Sequence, residues 1–484
     1  MNIQINRNSE TPIYLQIKGA IKVMINSAEL FPGYKMPWER KLAKELNVHR
    51  NTVVKVYSEL IAEGYLVSSK QTPEGYFVTD LGKPKDFTTR FFPLGKRLRY
   101  NMNTKEKLFF NLYDSSYDKS KYITMGGLVG DKKLVSLEGI ENISLSRFQS
   151  AEEESARLRN NIIKLLKQNN IYVNDKNIQF SSETNQLLNQ ISELFLSEGD
   201  CIIAEEPLMP DNMVLFRNKN LKVVTIPMEP DGMNMTILEK EVAKNHPKFI
   251  YTLPTYHNPT GITMSVEKRK QLLAIANKYD VPIIEEASQN LFNYTGNKIP
   301  SLYAMDQYHS VLYIDTFTLT FPYEIKVAYI LGPYDFIEML GRYVMITETT
   351  ISALNHFILN EIIENANYER VTKDMVQCLK NRRDKLYEEL QKISNKGISC
   401  TLPEGGLSIW CSLDEDIKEL QLTTMAQEKG LIIIPGSVFY PFGYQGCGHL
   451  RLAFSNCDEE ELEKGVKILG ECLDACRKEN SVEA

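Results

Sequence analysis

The chain has 484 residues, a length that predicts about two to four domains rather than one compact unit. Its composition, 43% hydrophobic and 24% charged, is typical of a soluble globular protein. The sequence lacks an apolar run long enough to span a membrane and an apolar signal core at its start, so we expect neither membrane insertion nor export, and a cytoplasmic location.

Charge is distributed unevenly along the chain. The formal net charge is −6, but residues 1–80 contain ten basic and eight acidic side chains, which leaves −8 on the remainder. A weakly basic segment on an acidic body is typical of a small nucleic-acid-binding module joined to a larger domain. The eight cysteines show no paired CxxC spacing, so the sequence predicts reduced thiols and no metal site.

Composition and pattern divide the chain into three parts. Residues 1–80 are predicted to form a compact module, and residues 81–125, which mix charge, proline and aromatic residues without periodicity, are predicted to be a linker. Residues 126–484 are predicted to form an effector and dimerisation domain, with a large subdomain over about 150–370 and a smaller one over about 375–484.

The pattern of the first module predicts three helices followed by two short strands. Apolar residues recur at helical spacing in TPIYLQIKGAIKVMI, and two further helices, about Glu39–Leu46 and Asn51–Glu63, flank the turn NVHR. SSKQTPEGYFVTD is predicted to form two strands joined by a turn. Polar side chains open the third helix, where a recognition helix meets bases and phosphates, so the module is predicted to bind DNA.

This module resembles the winged helix-turn-helix of the GntR family. The residues that carry the resemblance are Pro32, Gly33, Met36, Pro37, Arg40, Leu42, Ala43, Arg50, Thr52, Val53, Tyr57, Leu60, Glu63 and Gly64. Trp38 and His49 stand where the family usually has small hydroxyl residues. By the resemblance, the DNA contacts would come from Arg40, Arg50, Asn51, Thr52, Lys70 and Gly75.

From about residue 150, helical segments alternate with short β-rich runs: IIAEEP, LKVVTIP, FIYTLP, VPIIEE, SVLYIDTF and VAYILGP. This alternation predicts an α/β domain with a mostly parallel sheet flanked by helices. A long helical region over about 334–395 is followed by an α+β segment whose predicted strands lie in SIWCSL, GLIIIPGSVFY and HLRLAF. The predicted fold class is therefore an N-terminal α+β winged helix-turn-helix followed by an α/β domain with a smaller C-terminal α+β subdomain.

Residues from about 150 to 475 resemble the fold-type I pyridoxal phosphate aminotransferases, and the whole chain resembles the MocR subfamily of GntR regulators. The motifs that carry the resemblance are LPTYHNPTGITMS (253–265), YDVPIIEEASQNLFNY (279–294), IDTFTLTFPYEIKVAYI (314–330), IIIPGSVFY (432–440) and HLRLAF (449–454). The resemblance implies a fold-type I domain whose cleft lies at a subunit interface. A homodimer would also suit two half-sites on operator DNA.

The family's cofactor needs a lysine, because only an amine condenses with its aldehyde. Alignment without a gap places Leu319 at that lysine, Glu286 at the aspartate that pairs with the pyridine nitrogen, and Ser288 at the tyrosine that supports the cofactor oxygen. Leucine cannot form a Schiff base. We therefore expect no covalent pyridoxal phosphate, no transamination and no catalytic residue.

The family's phosphate-binding positions also differ. Glu183 and Asn185 align with the turn that binds the phosphate through backbone N–H groups, and an acidic side chain there repels a dianion. Lys326 aligns with the phosphate-binding arginine, so it keeps the charge and loses the bidentate geometry. Met209 aligns with the aromatic residue that stacks on the ring. Together these differences predict that the protein takes no cofactor.

Two family positions are retained. Asn258 aligns with the asparagine that bonds the ring hydroxyl, and Arg451 aligns with the arginine that binds the substrate carboxylate. The predicted ligand-binding residues of a relic cofactor cleft are therefore Asn258, Glu286, Lys326 and Arg451. Structural alternatives remain for three of them: Asn258 as a turn cap, Lys326 as a solvated cation and Arg451 as a member of an ion pair.

The sequence thus predicts a DNA-binding transcriptional regulator whose aminotransferase-like domain dimerises and senses a small ligand without covalent attachment. Its partners would be operator DNA, a second copy of the chain and a small-molecule effector, with a carboxylate as the candidate class. Two alternatives remain open. One is a pyridoxal phosphate-dependent aminotransferase or cofactor-sensing regulator with an atypical site, and the other is an architectural dimeriser without a ligand.

Overall fold

The computed structural model describes residues 3–79 and 103–483, apart from residues 4, 8, 10, 27–29, 31–32, 70–74, 114–116, 119, 129–133, 135–143, 322–324, 348–351, 366–367 and 441–447. Contacts between residues divide the chain into two compact units, Met1–Leu98 and Arg99–Ala484. Each unit has a hydrophobic core of its own. Within the described part, no helix is both long and apolar enough to cross a membrane.

In the first unit, three helices precede a two-stranded antiparallel hairpin. They are α1 (Ile13–Asn26), α2 (Glu39–Glu45), α3 (Arg50–Ala62), β1 (Leu66–Ser69) and β2 (Gly75–Val78). The hairpin pairs Leu66 with Val78 and Ser69 with Gly75. All five elements lie where the sequence predicts them.

The core of this unit forms where apolar stripes of the helices meet the hairpin. Its buried side chains include Ile17, Ile21, Leu42, Val53, Val56, Leu60, Leu66 and Val78. On α1 and α3 these residues recur every three or four positions, which places them on one face of each helix. The Tyr76 hydroxyl donates a hydrogen bond to the Glu39 carboxylate at 2.6 Å and so ties the hairpin to α2.

The second unit is an α/β domain. Its helices are α4 (Thr104–Tyr113), α5 (Ala151–Lys167), α6 (Thr184–Phe195), α7 (Pro210–Asn218), α8 (Met235–Asn245), α9 (Val266–Tyr279), α10 (Leu302–Met305), α11 (Tyr334–Thr347), α12 (Ala353–Asn365), α13 (Tyr368–Lys392), α14 (Glu419–Glu428) and α15 (Glu459–Glu483). Its strands are β3 (Ile123–Thr124), β4 (Ile178–Ser181), β5 (Cys201–Glu206), β6 (Lys222–Glu229), β7 (Gly232–Met233), β8 (Phe249–Thr252), β9 (Ile283–Glu286), β10 (Val311–Thr316), β11 (Ala328–Leu331), β12 (Ile398–Cys400), β13 (Ser408–Leu413), β14 (Leu431–Ile432), β15 (Ile434–Pro435) and β16 (His449–Ala453).

A mixed sheet of eight strands forms the centre of this unit, in the order β4-β11-β10-β9-β8-β5-β6-β7. The five strands from β10 to β6 pair in parallel, whereas β11 and β7 pair antiparallel with their neighbours. Parallel strands place their carboxyl ends at one edge of the sheet, where ligands of such folds bind. Asn258 follows β8 and Glu286 ends the neighbouring β9, so the order of the strands brings these two predicted residues to the same edge.

A smaller four-stranded antiparallel sheet, in the order β12-β13-β16-β15, forms the C-terminal part of the unit. Helices α13, α14 and α15 pack against it, and their apolar side chains are buried in one cluster with those of the sheet, such as Leu450 and Leu452. Helix α13 reaches this sheet from the region of the central sheet. The predicted smaller α+β subdomain is therefore present.

The predicted linker over 81–125 extends too far. Residues 81–102 lie outside the described part, but α4 and β3 belong to the second unit, where β3 pairs with β14. Phe109 and Leu112 of α4 are buried against Phe439 and its neighbours. The local pattern around α4 is weakly amphipathic, so this helix owes its position to tertiary packing rather than to local preference.

Candidate functional site

The first candidate site is the start of α3 in the first unit. His49 precedes the helix with an extended backbone, and its Nδ1 accepts a hydrogen bond from the backbone N–H of Asn51 at 3.2 Å. This contact caps the helix end that small hydroxyl residues cap in the resembling family. Arg50 and Asn51 are exposed in the first turn, and Thr52 is half-buried. The turn therefore presents polar side chains to solvent.

Helix α2 and the hairpin lie beside this turn. Arg40 is exposed on α2, and Trp38 just before α2 retains 46% of its accessible surface. The Glu39 carboxylate raises the pKa of Tyr76 through their hydrogen bond, and the nearby Arg50 guanidinium opposes that shift. The hairpin and the start of α3 thus form one continuous, partly basic surface.

Of the two predicted wing residues, Lys70 and Gly75, the structure describes only Gly75. Lys70 lies outside the described residues. Gly75 is buried, with φ of +148°, and a Cβ atom there would lie 2.9 Å from the Cε atom of Lys35. Glycine is required at this position by backbone geometry, so any contact of Gly75 with DNA would come from its backbone. That these residues contact DNA stays a prediction.

The second candidate site is the cleft around Arg451 in the second unit. Arg451 is completely buried on β16. Its Nη1 donates to the Asn258 side-chain oxygen at 3.2 Å, and its Nη2 donates to the backbone carbonyl of Gly126. Burial lowers the pKa of Arg451 to about 10, which leaves the guanidinium charged at neutral pH. The structure thus brings Asn258 and Arg451 together, and they are hydrogen-bonded to each other.

Helix α4 covers this guanidinium. The ring centroid of Tyr113 lies 5.7 Å from the Arg451 guanidinium carbon and that of Phe439 lies 5.1 Å from it. Glu106 of the same helix is buried and accepts a hydrogen bond from Arg217 Nη2 at 2.7 Å. Helix α4 lies in the segment predicted to be a linker, and its weakly amphipathic sequence gives little local signal for a helix. A carboxylate could reach Arg451 only if α4 moved.

Asn258 is held by a buried network around His257. The Glu205 carboxylate accepts hydrogen bonds from the Thr252 hydroxyl at 2.6 Å and from the Leu253 backbone at 2.7 Å, and the His257 ring lies 3.5 Å from it. Burial lowers the pKa of His257 to about 3, so the ring is neutral and forms no ion pair with Glu205. This network fixes the loop after β8 and therefore the position of Asn258.

Glu286 lies at the end of β9 on the cleft side of the sheet. Its carboxylate accepts hydrogen bonds from the hydroxyls of Tyr251 and Ser288, the latter at 2.8 Å. Burial raises the pKa of Glu286, and the nearby Asp211 carboxylate adds to the shift. Asp211 in turn accepts a hydrogen bond from Asn185 at 2.8 Å. The cleft therefore collects several acidic groups around one arginine.

The remaining predicted residues lie as follows. Leu319 is half-buried and packs against the main hydrophobic cluster of the second unit. Lys326 is exposed just before β11, and its backbone carbonyl accepts a hydrogen bond from Asn355 at 3.4 Å. Met209 is half-buried, and its sulfur lies 3.9 Å from Arg451 Nη1. No group of three or more metal-ligating side chains occurs among the described residues.

These two sites and their folds define the class of protein: a winged helix-turn-helix joined to a fold-type I aminotransferase domain. The family model for bacterial regulatory proteins of the gntR family matches residues 13–77, and that for aminotransferase class I and II matches residues 143–469. The second match spans more than half of the chain. The chain therefore belongs to the aminotransferase class I and II family, and with its GntR domain it has the arrangement of the MocR-type regulators.

Relatives of two kinds are similar to this chain. The HTH-type transcriptional regulator NorG of Staphylococcus aureus is 24% identical over 84% of this chain and 92% of its own length. The uncharacterized HTH-type transcriptional regulator YdfD of Bacillus subtilis is 26% identical over 95% of this chain and 96% of its own. The aromatic-amino-acid aminotransferase 1 of Thermococcus litoralis is 28% identical, over 63% of this chain and 74% of its own length.

Solved structures show the same fold in the second unit. A kynurenine aminotransferase of Pyrococcus horikoshii, in complex with PMP, has a TM-score of 0.71 with 24% identity and covers 80% of this chain and 97% of its own. The α-aminoadipate aminotransferase LysN of Thermus thermophilus, complexed with N-(5'-phosphopyridoxyl)-L-leucine, has a TM-score of 0.70 with 20% identity and covers 79% of this chain and 98% of its own.

The prediction that the protein takes no cofactor is wrong. It conflicts with the family to which the chain belongs and with the pyridoxal-derived ligands that those two solved structures contain. The prediction rested on the leucine at position 319 and on the changed phosphate-binding and ring-stacking positions Glu183, Lys326 and Met209. Leu319 indeed supplies no nitrogen for an aldehyde, but the Glu286 carboxylate, which accepts from Ser288, and the Asn258 amide, which accepts from Arg451, are polar groups that could contact a pyridine ring without a lysine. The residues present therefore fit the ring of the cofactor.

Proposed function

We propose that this protein is a transcriptional regulator that binds operator DNA through the start of α3, helix α2 and the hairpin. The observation that carries the proposal is the exposure of Arg50 and Asn51 in the first turn of α3, within a segment that matches the gntR family. The rest of α3 is anchored by Val53, Val56 and Leu60, so the polar turn is rigidly presented. Such a turn suits base edges and phosphates in a major groove.

Relatives support the regulatory role. NorG and YdfD, which are named as transcriptional regulators, match this chain over both of its units, whereas the Thermococcus aminotransferase matches less than two thirds of it. We further propose a homodimer, because a regulator that reads two half-sites needs two copies of its helix-turn-helix. If no small molecule changes DNA binding, the result would support the alternative of an architectural dimeriser without a ligand.

The second unit is proposed to sense a small molecule, and pyridoxal phosphate is a candidate ligand for its cleft. Glu286 would face the pyridine nitrogen and Asn258 the ring hydroxyl, while the cofactor would supply an electron-withdrawing ring. A carboxylate effector at Arg451 is also proposed and requires that α4 move, because Asn258, Gly126 and Tyr113 surround the guanidinium. The second candidate function, an aminotransferase, is favoured by the family match of residues 143–469.

DNA binding is tested with the full-length protein and sequences selected from a random DNA pool. Arg50→Ala and Asn51→Ala should each weaken binding to the selected sequence by about 1–3 kcal/mol if they read bases. Arg342→Ala removes an exposed arginine of α11 and serves as the control, with unchanged affinity expected. Failure to select any sequence, or variants that bind as tightly as the wild type, would refute the proposal.

The enzymatic alternative is tested by amino transfer from L-amino acids to 2-oxo acids with pyridoxal phosphate added. We expect no turnover above background, because position 319 provides no amine. Leu319→Lys is the matched control, and it should gain a Schiff-base absorbance that borohydride removes. Turnover by the wild type, with a borohydride-trapped lysine elsewhere, would instead establish the aminotransferase.

A further inference from the structure

A cavity of about 780 Å³ lies in the aminotransferase-like unit. It opens between the end of α5, the start of α13 and the carboxyl ends of β9 and β10. The polar groups that line its interior belong to Asn290, Tyr313, Asp315, Tyr329 and Tyr368. The residues of the predicted cofactor cleft, Asn258, Glu286, Leu319, Lys326 and Arg451, are absent from its lining among the described residues. The cavity therefore has a lining distinct from those five residues, and it adjoins the cleft at Ser288, whose hydroxyl donates to Glu286.

Asp315 is the charged group inside the cavity. One carboxylate oxygen accepts hydrogen bonds from the hydroxyls of Tyr329 at 3.0 Å and Tyr313 at 3.4 Å. The other accepts the backbone N–H of Thr316 at 2.7 Å, which leaves it room for a second donor. Surrounding protein encloses Asp315, yet the side chain keeps some accessible surface because it lines the cavity.

Asp315 lacks a cationic partner within the part of the chain that the structure describes. Among the described residues, no lysine, arginine or histidine forms an ion pair with it, and burial raises its pKa to about 7. The other ionisable groups that face it are Tyr313 on its own strand, Tyr329 on β11, Tyr368 on α13 and Glu286 on β9. None of these carries a positive charge. A buried carboxylate without a cation is costly, and a bound cation would remove most of that cost.

Two further features of the cavity complement such a cation. The side-chain oxygen of Asn290 is buried and has no hydrogen-bond partner among the described residues. The rings of Phe317, Tyr313 and Tyr329 cluster beside the carboxylate, with centroids of Tyr329 and Phe317 6.0 Å apart. Acceptor oxygens select a hydrogen-bond donor, and aromatic faces favour positive charge and apolar groups.

We propose that this cavity binds a small organic cation, whose ammonium group donates hydrogen bonds to Asp315 and Asn290 and whose apolar body packs against the tyrosine rings. An anion would meet the Asp315 carboxylate at the bottom of the cavity. A neutral ligand would leave that carboxylate unpaired. The exposed side chains at the rim, Glu369, Glu404, Lys298 and Lys373, are balanced in charge, so selection for the cation arises in the interior.

The test uses matched amines and alcohols with the full-length protein. Binding of 2-phenylethylammonium and butylammonium is measured by isothermal titration calorimetry at about pH 8, where Asp315 is ionised, and compared with 2-phenylethanol and 1-butanol. At least one amine should bind, and at least about tenfold more tightly than its alcohol. Two amines that fail to bind, or amine and alcohol of equal affinity, would overturn the proposal.

Variants locate the binding. Asp315→Asn keeps the shape and removes the charge, and it should weaken amine binding at least about tenfold. Asp374→Asn, which changes an exposed carboxylate on α13 outside the cavity, should bind like the wild type. Tyr368→Leu provides a second variant should Asp315→Asn fail to fold, and it should also weaken binding. An amine that binds undiminished to a folded Asp315→Asn or Tyr368→Leu variant occupies another site, which overturns the proposal.

Discussion

The start of α3 and the cleft around Arg451 each contain an arginine and an asparagine, but the pair on α3 is exposed and the pair in the cleft is buried. Arg50 and Asn51 are exposed on a helix whose other face anchors it. Arg451 and Asn258 are buried and hydrogen-bonded to each other. The first pair is available to a macromolecule without rearrangement, whereas the second pair is available to a ligand only after α4 moves. The same residue types are thus exposed to solvent in one unit and take part in internal packing in the other.

The largest expected effect concerns the buried arginine. Arg451→Ala should lower the free energy of unfolding by about 3 kcal/mol or more, because it creates a cavity and leaves the Asn258 and Gly126 oxygens without their donor. Urea unfolding monitored by circular dichroism measures this change. Exposed Arg342→Ala is the control and should stay within about 0.5 kcal/mol of the wild type. Equal stability of both variants would show that Arg451 contributes nothing to packing.

The exposed arginines should affect DNA binding and leave folding unchanged. Arg50→Ala should weaken binding by about 1–3 kcal/mol if Arg50 reads a base, with the loss confined to the selected sequence. Arg40→Ala should weaken all sequences similarly and reduce the salt dependence of binding by about one counterion if Arg40 contacts phosphate. Gel-shift titrations at several salt concentrations separate the two. If Arg50→Ala weakens all sequences similarly and Arg40→Ala weakens only the selected sequence, then Arg40 reads a base and Arg50 contacts phosphate.

Asp315 should make the second unit less stable as the pH rises. Its folded pKa, about 7, lies well above the ordinary pKa of an aspartate, about 3.9, so the folded state retains a proton that the unfolded chain has lost. The wild type therefore loses this contribution to stability between about pH 4 and 7, and Asp315→Asn lacks that contribution. We expect the variant to gain about 1–2 kcal/mol relative to the wild type between about pH 4 and 7, after allowance for the access that the cavity gives to solvent. Thermal unfolding of both proteins across this pH range measures the difference in stability. A difference that does not change with pH would contradict the prediction.

The smallest effect is expected at the cap of α3. His49→Ala removes the acceptor for the Asn51 N–H and should cost about 0.5–1 kcal/mol of stability, together with a modest loss of DNA affinity. His49→Asn supplies another cap and should restore most of both. If His49→Ala and His49→Asn behave alike in thermal unfolding, the ring does not act as a cap.

Much of the fold could be predicted from local pattern. The helices and hairpin of the first unit, the strands β5, β6, β8, β9, β10 and β11, and the smaller α+β subdomain lie where periodicity placed them. Strand β4 was missed because its four residues sit in a polar context, and α4 was assigned to a linker because its apolar face is narrow. Both elements depend on partners distant in sequence, which a local window does not contain.

The candidate sites divide in the same way. The sequence by itself determined that the residues proposed to contact DNA cluster, since Arg50, Asn51 and Thr52 share one helical turn and helix periodicity fixes their neighbours. It also determined that position 319 offers no amine. The sequence did not determine what the retained cleft residues bind. The chemistry of a side chain follows from its residue type, but its partners are set by the fold.

Only the tertiary structure decided that Arg451 is enclosed and that Asp315 lines a cavity. The two partners of Arg451, Asn258 and Gly126, lie 193 and 325 positions away in the chain, and Tyr329 reaches Asp315 from a neighbouring strand. Burial and hydrogen bonding between such distant residues arise from how whole elements pack. The same arginine would be accessible to a ligand in one packing and a buried structural residue in another. Whether a side chain is accessible to a ligand therefore depends on how the core packs. A local stretch of sequence does not show that packing.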